Sequence, residues 1–253
     1  MQVGPWWIDS YTVRLVGACT LALVWLGITA PRRRLTPGEF AVGIWALALT
    51  VIVAGRAGYV WIHREYFAQN PAAVLRLGRI GGLNGATAWG GGLLTATVWA
   101  AIKGHHLHRL IDWLAPAALL VAVGAWSGCM HTGCAWGREA SQPPPALQWL
   151  VTESPDLMRS IRPRYAVRTV GLTAALLGAG GALALGSRSG YALAIYLAVE
   201  AGVSLLRGNP VPTVGSLRAD TLVVALWAIL VAAIAAQGHR DRASGRPAPV
   251  PQT

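Results

Sequence analysis

The ionisable residues with the most distinctive setting lie inside apolar stretches of the chain. Glu200 is flanked by Tyr196 and Ser204, each four residues away, and Arg207 follows Ser204 by three. These spacings place the four side chains on one face of a helix. Because ionisable groups at membrane depth are costly, such a stripe points to the bundle interior or to a water-filled cavity. The structural alternative is an ion pair between Glu200 and Arg56, which lies in another apolar stretch between two glycines.

Two cysteines and a histidine are grouped in the segment GCMHTGCAWGR, residues 128–138. Cys129, His131 and Cys134 fall short of the four ligands of a structural zinc site, and their spacing fits no common zinc finger. A disulfide between the two cysteines is an alternative in an oxidising compartment. The simplest interpretation is a pair of packed thiols in a tight re-entrant turn.

Three further histidines, His105, His106 and His108, share a short polar segment with Lys103 and Arg109. A metal site is one interpretation of this triplet, but a solvated cationic loop accounts for it more simply. The chain has no phosphate-binding P-loop, no Gly-x-Ser-x-Gly elbow and no His-Glu-x-x-His helix. We therefore predict neither nucleotide-dependent nor metalloprotease chemistry.

The composition is that of an integral membrane protein. Of the 253 residues, 54% are hydrophobic and 12% are charged, whereas soluble domains carry roughly 25% charged residues. Mean hydropathy is +0.47. The formal charge of +11 rests on arginine, since Lys103 is the one lysine. The arginines lie in gaps between apolar runs, which argues against a nucleic-acid-binding face and favours an anionic lipid surface as the partner.

Seven stretches approach the length of about 20 apolar residues that a membrane helix requires. They are approximately residues 12–30, 38–62, 84–102, 112–130, 166–186, 189–206 and 219–237. We predict one seven-span membrane domain over residues 1–237. A polar, proline-rich tail follows over residues 238–253, and we expect it to be disordered and cytoplasmic.

The positions of basic residues predict the orientation of this multi-pass chain. With the N-terminus outside, the inner and outer loops receive equal numbers of basic residues, but the inner ones occupy much shorter segments. Long loops count less in setting orientation, so we predict an outside N-terminus and an inside C-terminus. The arginines that this orientation places in the outer loops run against the usual excess of basic residues in cytoplasmic loops. A function at the outer leaflet would account for them.

The order of several short motifs resembles the prolipoprotein diacylglyceryl transferases, seven-span enzymes of the bacterial inner membrane. The resemblance covers nearly the whole chain, although each motif is weak singly. The matching positions are Tyr11, GRAGYV at 55–60, DWLAP at 112–116, GCMHTGCAWGR at 128–138, PRY at 163–165, and Tyr196, Arg207 and Gly215. The resemblance implies an all-α bundle of seven transmembrane helices that needs no metal and no other cofactor.

Chemically, the resemblance implies transfer of diacylglyceryl from phosphatidylglycerol, or a related anionic lipid, to a cysteine thiol. That cysteine lies in the lipobox of an exported prolipoprotein's signal peptide, and glycerol phosphate leaves. The reaction requires an activated thiol and cations that neutralise the departing phosphate. Tyr11 and Tyr196 are the residues expected to orient the reactants, and His131 is the candidate base by its position. The candidate headgroup-binding residues are Arg56, Arg164, Arg207 and Gly137.

The sequence departs from the family pattern at charged positions. A tryptophan, Trp89, stands where the family has a histidine, Trp126 stands in place of an arginine, and Glu200 replaces another arginine. A carboxylate repels phosphate unless it is paired or protonated. Two further hypotheses follow. The chain is a relative that binds anionic lipid or a membrane partner without catalysis, or it is a small transporter, although the internal repeats that transporters often carry are not seen.

Overall fold

The computed structural model describes residues 2–3, 6–7, 9–33, 35–76, 82–156, 158 and 160–244. Within these residues the chain forms eight α-helices, of which α3 is much shorter than the others. They are α1 (Ser10–Thr29), α2 (Pro37–Ile62), α3 (Arg64–Gln69), α4 (Gly85–Lys103), α5 (Leu107–Thr132), α6 (Val167–Leu185), α7 (Ser189–Leu205) and α8 (Ala219–Ala243). The seven longer helices fall at the seven predicted stretches.

Short antiparallel hairpins lie before the first helix and in two of the connections between helices. They pair β1 (Gln2–Val3) with β2 (Trp6–Trp7), β3 (Val151–Pro155) with β4 (Ile161–Tyr165), and β5 (Thr213–Val214) with β6 (Leu217–Arg218). The β3–β4 hairpin is the longest, and its register pairs Val151 with Tyr165 and Pro155 with Ile161. It belongs to the long connection between α5 and α6.

Five helical segments of the described chain are long and apolar enough to cross a membrane. They are Ser10–Arg33, Pro37–Ile62, Leu107–Thr132, Val167–Leu205 and Ala219–Ala243. The fourth segment contains both α6 and α7, which fold back on each other around Gly186, so that Gly181 faces Ala192. The helix α4 is not among the five.

The last helix is longer than predicted. The structure continues α8 to Ala243, past the predicted start of the polar tail at residue 238, while residues 245–253 lie outside the described part of the chain. Hydropathy cannot detect this polar extension, because it is stabilised by contacts with α5. Gly238 lies against the His108 ring, and Arg242 is 3.4 Å from the Asp112 carboxylate.

The centre of the bundle is α5, which packs against α1, α6, α7 and α8. Leu119 in α5 and Leu197 in α7 are almost completely buried. Small residues allow these helices to approach closely, as is usual in membrane bundles. Gly128 of α5 lies under the Tyr11 ring, and Gly171 of α6 lies under the Trp126 ring.

Large apolar side chains cover the outside of the bundle. Trp45 is 74% exposed, and Ile28, Leu49 and Leu177 are also more than half exposed. Soluble monomers rarely present apolar patches of this extent. Together with the apolar helices, this belt indicates that the chain is embedded in a membrane.

Side chains cap the starts of α1, α2 and α4. Thr36 and Glu39 form a reciprocal capping box at α2, and Asn84 caps α4. Asp9 caps α1 by accepting a hydrogen bond from the Thr12 amide at 2.8 Å. This bond favours the carboxylate and lowers the pKa of Asp9.

Candidate functional site

The candidate residues from different helices lie at one end of the bundle, because successive helices alternate in direction. Tyr11 is in the first turn of α1 and lies against the last turns of α5. Arg207 follows α7, and its guanidinium lies 5.0 Å from the centre of the Trp126 ring in α5. The β3–β4 connection carries Arg164 to the same end. We call this end of the bundle, where Tyr11, Trp126, Arg164 and Arg207 lie, the polar end.

A closed network joins α5 and α7 at the polar end. The indole N–H of Trp126 donates to the Tyr196 hydroxyl at 3.1 Å, and that hydroxyl donates to Glu200 Oε2 at 3.3 Å. The other carboxylate oxygen of Glu200 forms a salt bridge with Arg207. Glu200 therefore neutralises Arg207, and the alternative pair between Glu200 and Arg56 is wrong.

Arg164 is buried between two carboxylates. Its Nη2 atom lies 3.1 Å from Glu139 Oε1 and 3.0 Å from Asp156 Oδ2, and its Nη1 donates to the Gly137 carbonyl at 3.3 Å. Sequence reasoning missed both carboxylate partners. The one available signal was their location, since these acids share the 133–165 connection with the arginines.

The backbone around Gly137 joins this connection to the end of α7. The Arg138 amide donates to the Leu206 carbonyl at 2.8 Å, and the Gly208 amide donates to the Trp136 carbonyl at 2.8 Å. A Cβ atom at position 137 would overlap the carbonyl oxygen of Tyr165. Gly137 thus shapes the loop by allowing two backbone segments to touch.

Two buried guanidinium N–H groups have no hydrogen-bond acceptor in the described part of the chain. Within the described residues, neither Arg164 Nε nor Arg207 Nε has a hydrogen-bond partner. Buried donors are nearly always satisfied in folded proteins. These two N–H groups therefore each keep the capacity for one more acceptor, while carboxylates balance the charges of both residues.

Arg56 holds a different segment of the chain. Its guanidinium donates to the carbonyls of Val74 at 2.8 Å, Ala73 at 2.8 Å and Gly82 at 3.1 Å. Its centre also lies 5.1 Å from the centre of the Phe67 ring. Arg56 thereby ties α2 to the connection between α3 and α4.

Replacing Arg56 with methionine is expected to lower stability. The Ala73 carbonyl accepts its bond at a buried position, and a buried unsatisfied carbonyl costs about 1–3 kcal/mol. Thermal unfolding in detergent micelles measures the effect, with Arg64→Met at an exposed arginine as the control. Equal unfolding temperatures for the two variants would contradict the anchoring role of Arg56.

The candidate base, His131, is exposed and has a partner on each ring nitrogen. Arg14 Nη2 lies 3.0 Å from His131 Nε2, and the Ser127 carbonyl oxygen lies 3.2 Å from Nδ1. Arginine can only donate and a carbonyl can only accept, so the neutral tautomer with hydrogen on Nδ1 satisfies both contacts. The lone pair of His131 then resides on Nε2, and Arg14 covers it. Arg14 is a further residue that sequence reasoning missed.

A disulfide joins Cys129 and Cys134 beside this histidine. The interpretation as two packed thiols is therefore wrong, and the bonded sulfurs are not available to zinc. The bond spans Gly133, which ends α5 in a left-handed conformation with φ of 77°. It holds the chain in a tight turn immediately after His131.

These features define a helical membrane protein with an arginine-containing polar site at one end of its bundle. A family model described as prolipoprotein diacylglyceryl transferase matches residues 1–234. The chain belongs to the prolipoprotein diacylglyceryl transferase family, and the family resemblance found in the motifs is confirmed.

Curated relatives have the same description. Proteins from Bacillus cereus strains B4264 and G9842 and from Bacillus anthracis are named phosphatidylglycerol–prolipoprotein diacylglyceryl transferase. Each is 30% identical to this chain over 133 residues, which is 52% of this chain and 48% of the relative. The chain therefore spans about half the length of the curated relatives it matches.

Proposed function

We propose that this chain transfers diacylglyceryl from phosphatidylglycerol, or a related anionic lipid, to the lipobox cysteine of an exported prolipoprotein. The observation that carries the proposal is the family match over residues 1–234. The convergence of Tyr11, Tyr196, His131, Arg164 and Arg207 at the polar end supports it. No nucleic acid takes part in this reaction.

In the proposed reaction, the cysteine sulfur forms a bond to the glycerol carbon of the diacylglyceryl group that is attached to phosphate. The bond from that carbon to the phosphate oxygen breaks, and glycerol phosphate leaves with its electrons. The thiol proton passes to Nε2 of His131 after Arg14 has moved aside. The unused Nε–H groups of Arg164 and Arg207 donate to the phosphate.

We propose that α1, α2 and α4–α8 each cross the inner membrane of a bacterium, with the N-terminus outside. The polar end then lies at the outer leaflet, where an exported prolipoprotein presents its signal peptide. The arginines of the 133–165 connection lie on that side. Tyr196, held by its hydrogen bonds to Trp126 and Glu200, orients the reactants, and Tyr11 orients them from α1. Arg56 contributes indirectly, because it anchors the segment between α3 and α4.

A second candidate function is lipid or partner binding without transfer. The specific observation in its favour is the Glu200–Arg207 salt bridge, which cancels a cation that a leaving phosphate would require. Burial of Trp126 at the position of a family arginine also favours it.

A transfer assay separates the two candidates. The purified chain is reconstituted into vesicles that contain phosphatidylglycerol with labelled acyl chains, and a lipobox peptide is added. The proposal requires label on the peptide thiol together with released glycerol phosphate. Labelled lipid that co-purifies with the chain, without any labelled peptide, would support the binding candidate and overturn transfer.

The same assay tests the candidate base. We expect His131→Asn to reduce the transfer rate by about 100-fold or more, since this is the lower range for loss of a general base. His105→Asn is the matched control, because His105 is an exposed histidine near the start of α5. Full activity of His131→Asn would exclude His131 as the base.

A further inference from the structure

At the end of the bundle opposite the polar end, three potential metal ligands from two helices converge. His106 precedes α5, His108 is in its first turn, and Asp241 is in the last turn of α8. One ligand atom from each lies within 4.8 Å of the others. His108 Nδ1 is 3.9 Å from Asp241 Oδ2, and the two imidazole centres are 5.3 Å apart.

The three side chains are not engaged elsewhere. Among the described residues, the 3.9 Å approach of His108 Nδ1 to Asp241 Oδ2 is longer than a hydrogen bond, so it leaves both groups able to take a ligand. His108 is only 7% exposed. The buried His108 ring thus faces a second imidazole and a carboxylate across a gap that one cation would bridge.

The helix packing fixes this geometry. Gly238 touches the His108 ring, and a Cβ atom there would lie 2.5 Å from the ring. The nearby cation Arg242 is 3.4 Å from the Asp112 carboxylate, which offsets its charge. Two imidazoles and one carboxylate therefore remain to face a cation.

We propose that His106, His108 and Asp241 bind a divalent transition-metal ion, Zn²⁺ as the first choice. Nitrogen and oxygen ligands lie about 2.0–2.2 Å from zinc, so a shift of about 1 Å closes the observed triangle around the ion. Water takes the fourth position. The ion joins the end of α8 to the start of α5, and it has no part in the transfer chemistry at the polar end.

The test is zinc binding by the full chain in detergent micelles, with any purification tag removed. Zinc bound after dialysis is quantified by elemental analysis, and affinity is measured by competition with a chelating dye. We expect one Zn²⁺ per chain, and thermal unfolding at a higher temperature when zinc is present. His108→Ala and Asp241→Asn are each expected to weaken binding by at least about 10-fold, since loss of a direct ligand costs at least as much as loss of its outer-shell support.

His105→Ala and His239→Ala are the matched controls, because both are exposed histidines next to the site. They should bind zinc as the unaltered chain does. Asp241→Asn keeps the shape of the side chain, so it separates lost ligation from lost folding. Substoichiometric zinc in the unaltered chain, or equal affinity in Asp241→Asn and the controls, would overturn the proposal.

Discussion

Replacing Arg207 with methionine is expected to destabilise the chain by about 3–5 kcal/mol, the cost of breaking a buried ion pair. Without Arg207, the Glu200 carboxylate is left among α5 and α7 with the Tyr196 hydroxyl as its remaining partner. The guanidinium contact with the Trp126 ring is lost as well. Thermal unfolding in micelles and proteolysis of the reconstituted chain measure the loss.

The double variant Arg207→Met with Glu200→Gln provides the internal control. Removing both charges is expected to recover most of the stability, because neutral groups of similar size carry no uncompensated charge. Arg138→Met, at an exposed arginine of the adjoining loop, should have little effect. If Arg207→Met alone unfolds like the unaltered chain, the Glu200–Arg207 pair is not the structural centre of the polar end.

The second large effect is expected from Gly137→Ala. The added methyl group would overlap the Tyr165 carbonyl oxygen, and the nearest atoms are backbone that no side-chain rotation can move. The connection would separate from the end of α7, and the Arg164 contact with the Gly137 carbonyl would break. We expect a loss of more than about 4 kcal/mol and no transfer activity.

Gly180→Ala is the matched control for this substitution. Gly180 is in α6, and a Cβ atom there meets no heavy atom within 4 Å. Alanine is favoured over glycine within a helix by about 1 kcal/mol, so this variant should be at least as stable as the unaltered chain. Equal stability of the two alanine variants would contradict the close approach at Gly137.

Helix positions could be predicted closely from the sequence, because apolar length is a strong signal. The stretch 38–62 corresponds to α2 (Pro37–Ile62), and 189–206 corresponds to α7 (Ser189–Leu205). The polar end of α8 could not be predicted, since it depends on contacts with His108 and Asp112 in a helix more than 100 residues earlier.

The grouping of Tyr196, Glu200 and Arg207 could be predicted from the sequence, but the contacts of Glu200 and Arg164 with other residues could not. Helical spacing places Tyr196, Glu200 and Arg207 on one face, and the structure joins them. The partner of Glu200 is the nearby Arg207 rather than Arg56, because the short segment after α7 turns that side chain back onto the helix. The carboxylates that hold Arg164 come from a hairpin whose register the sequence does not reveal.

The measurement that tests the proposed function most directly is the mass of a reporter prolipoprotein. The chain is expressed in a bacterium depleted of its own diacylglyceryl transferase, and the reporter is purified from the membrane. Transfer predicts a reporter heavier by one diacylglyceryl group, attached to the sulfur of its lipobox cysteine. A reporter that keeps the unmodified mass, while a Bacillus cereus relative modifies it in the same host, would contradict the account.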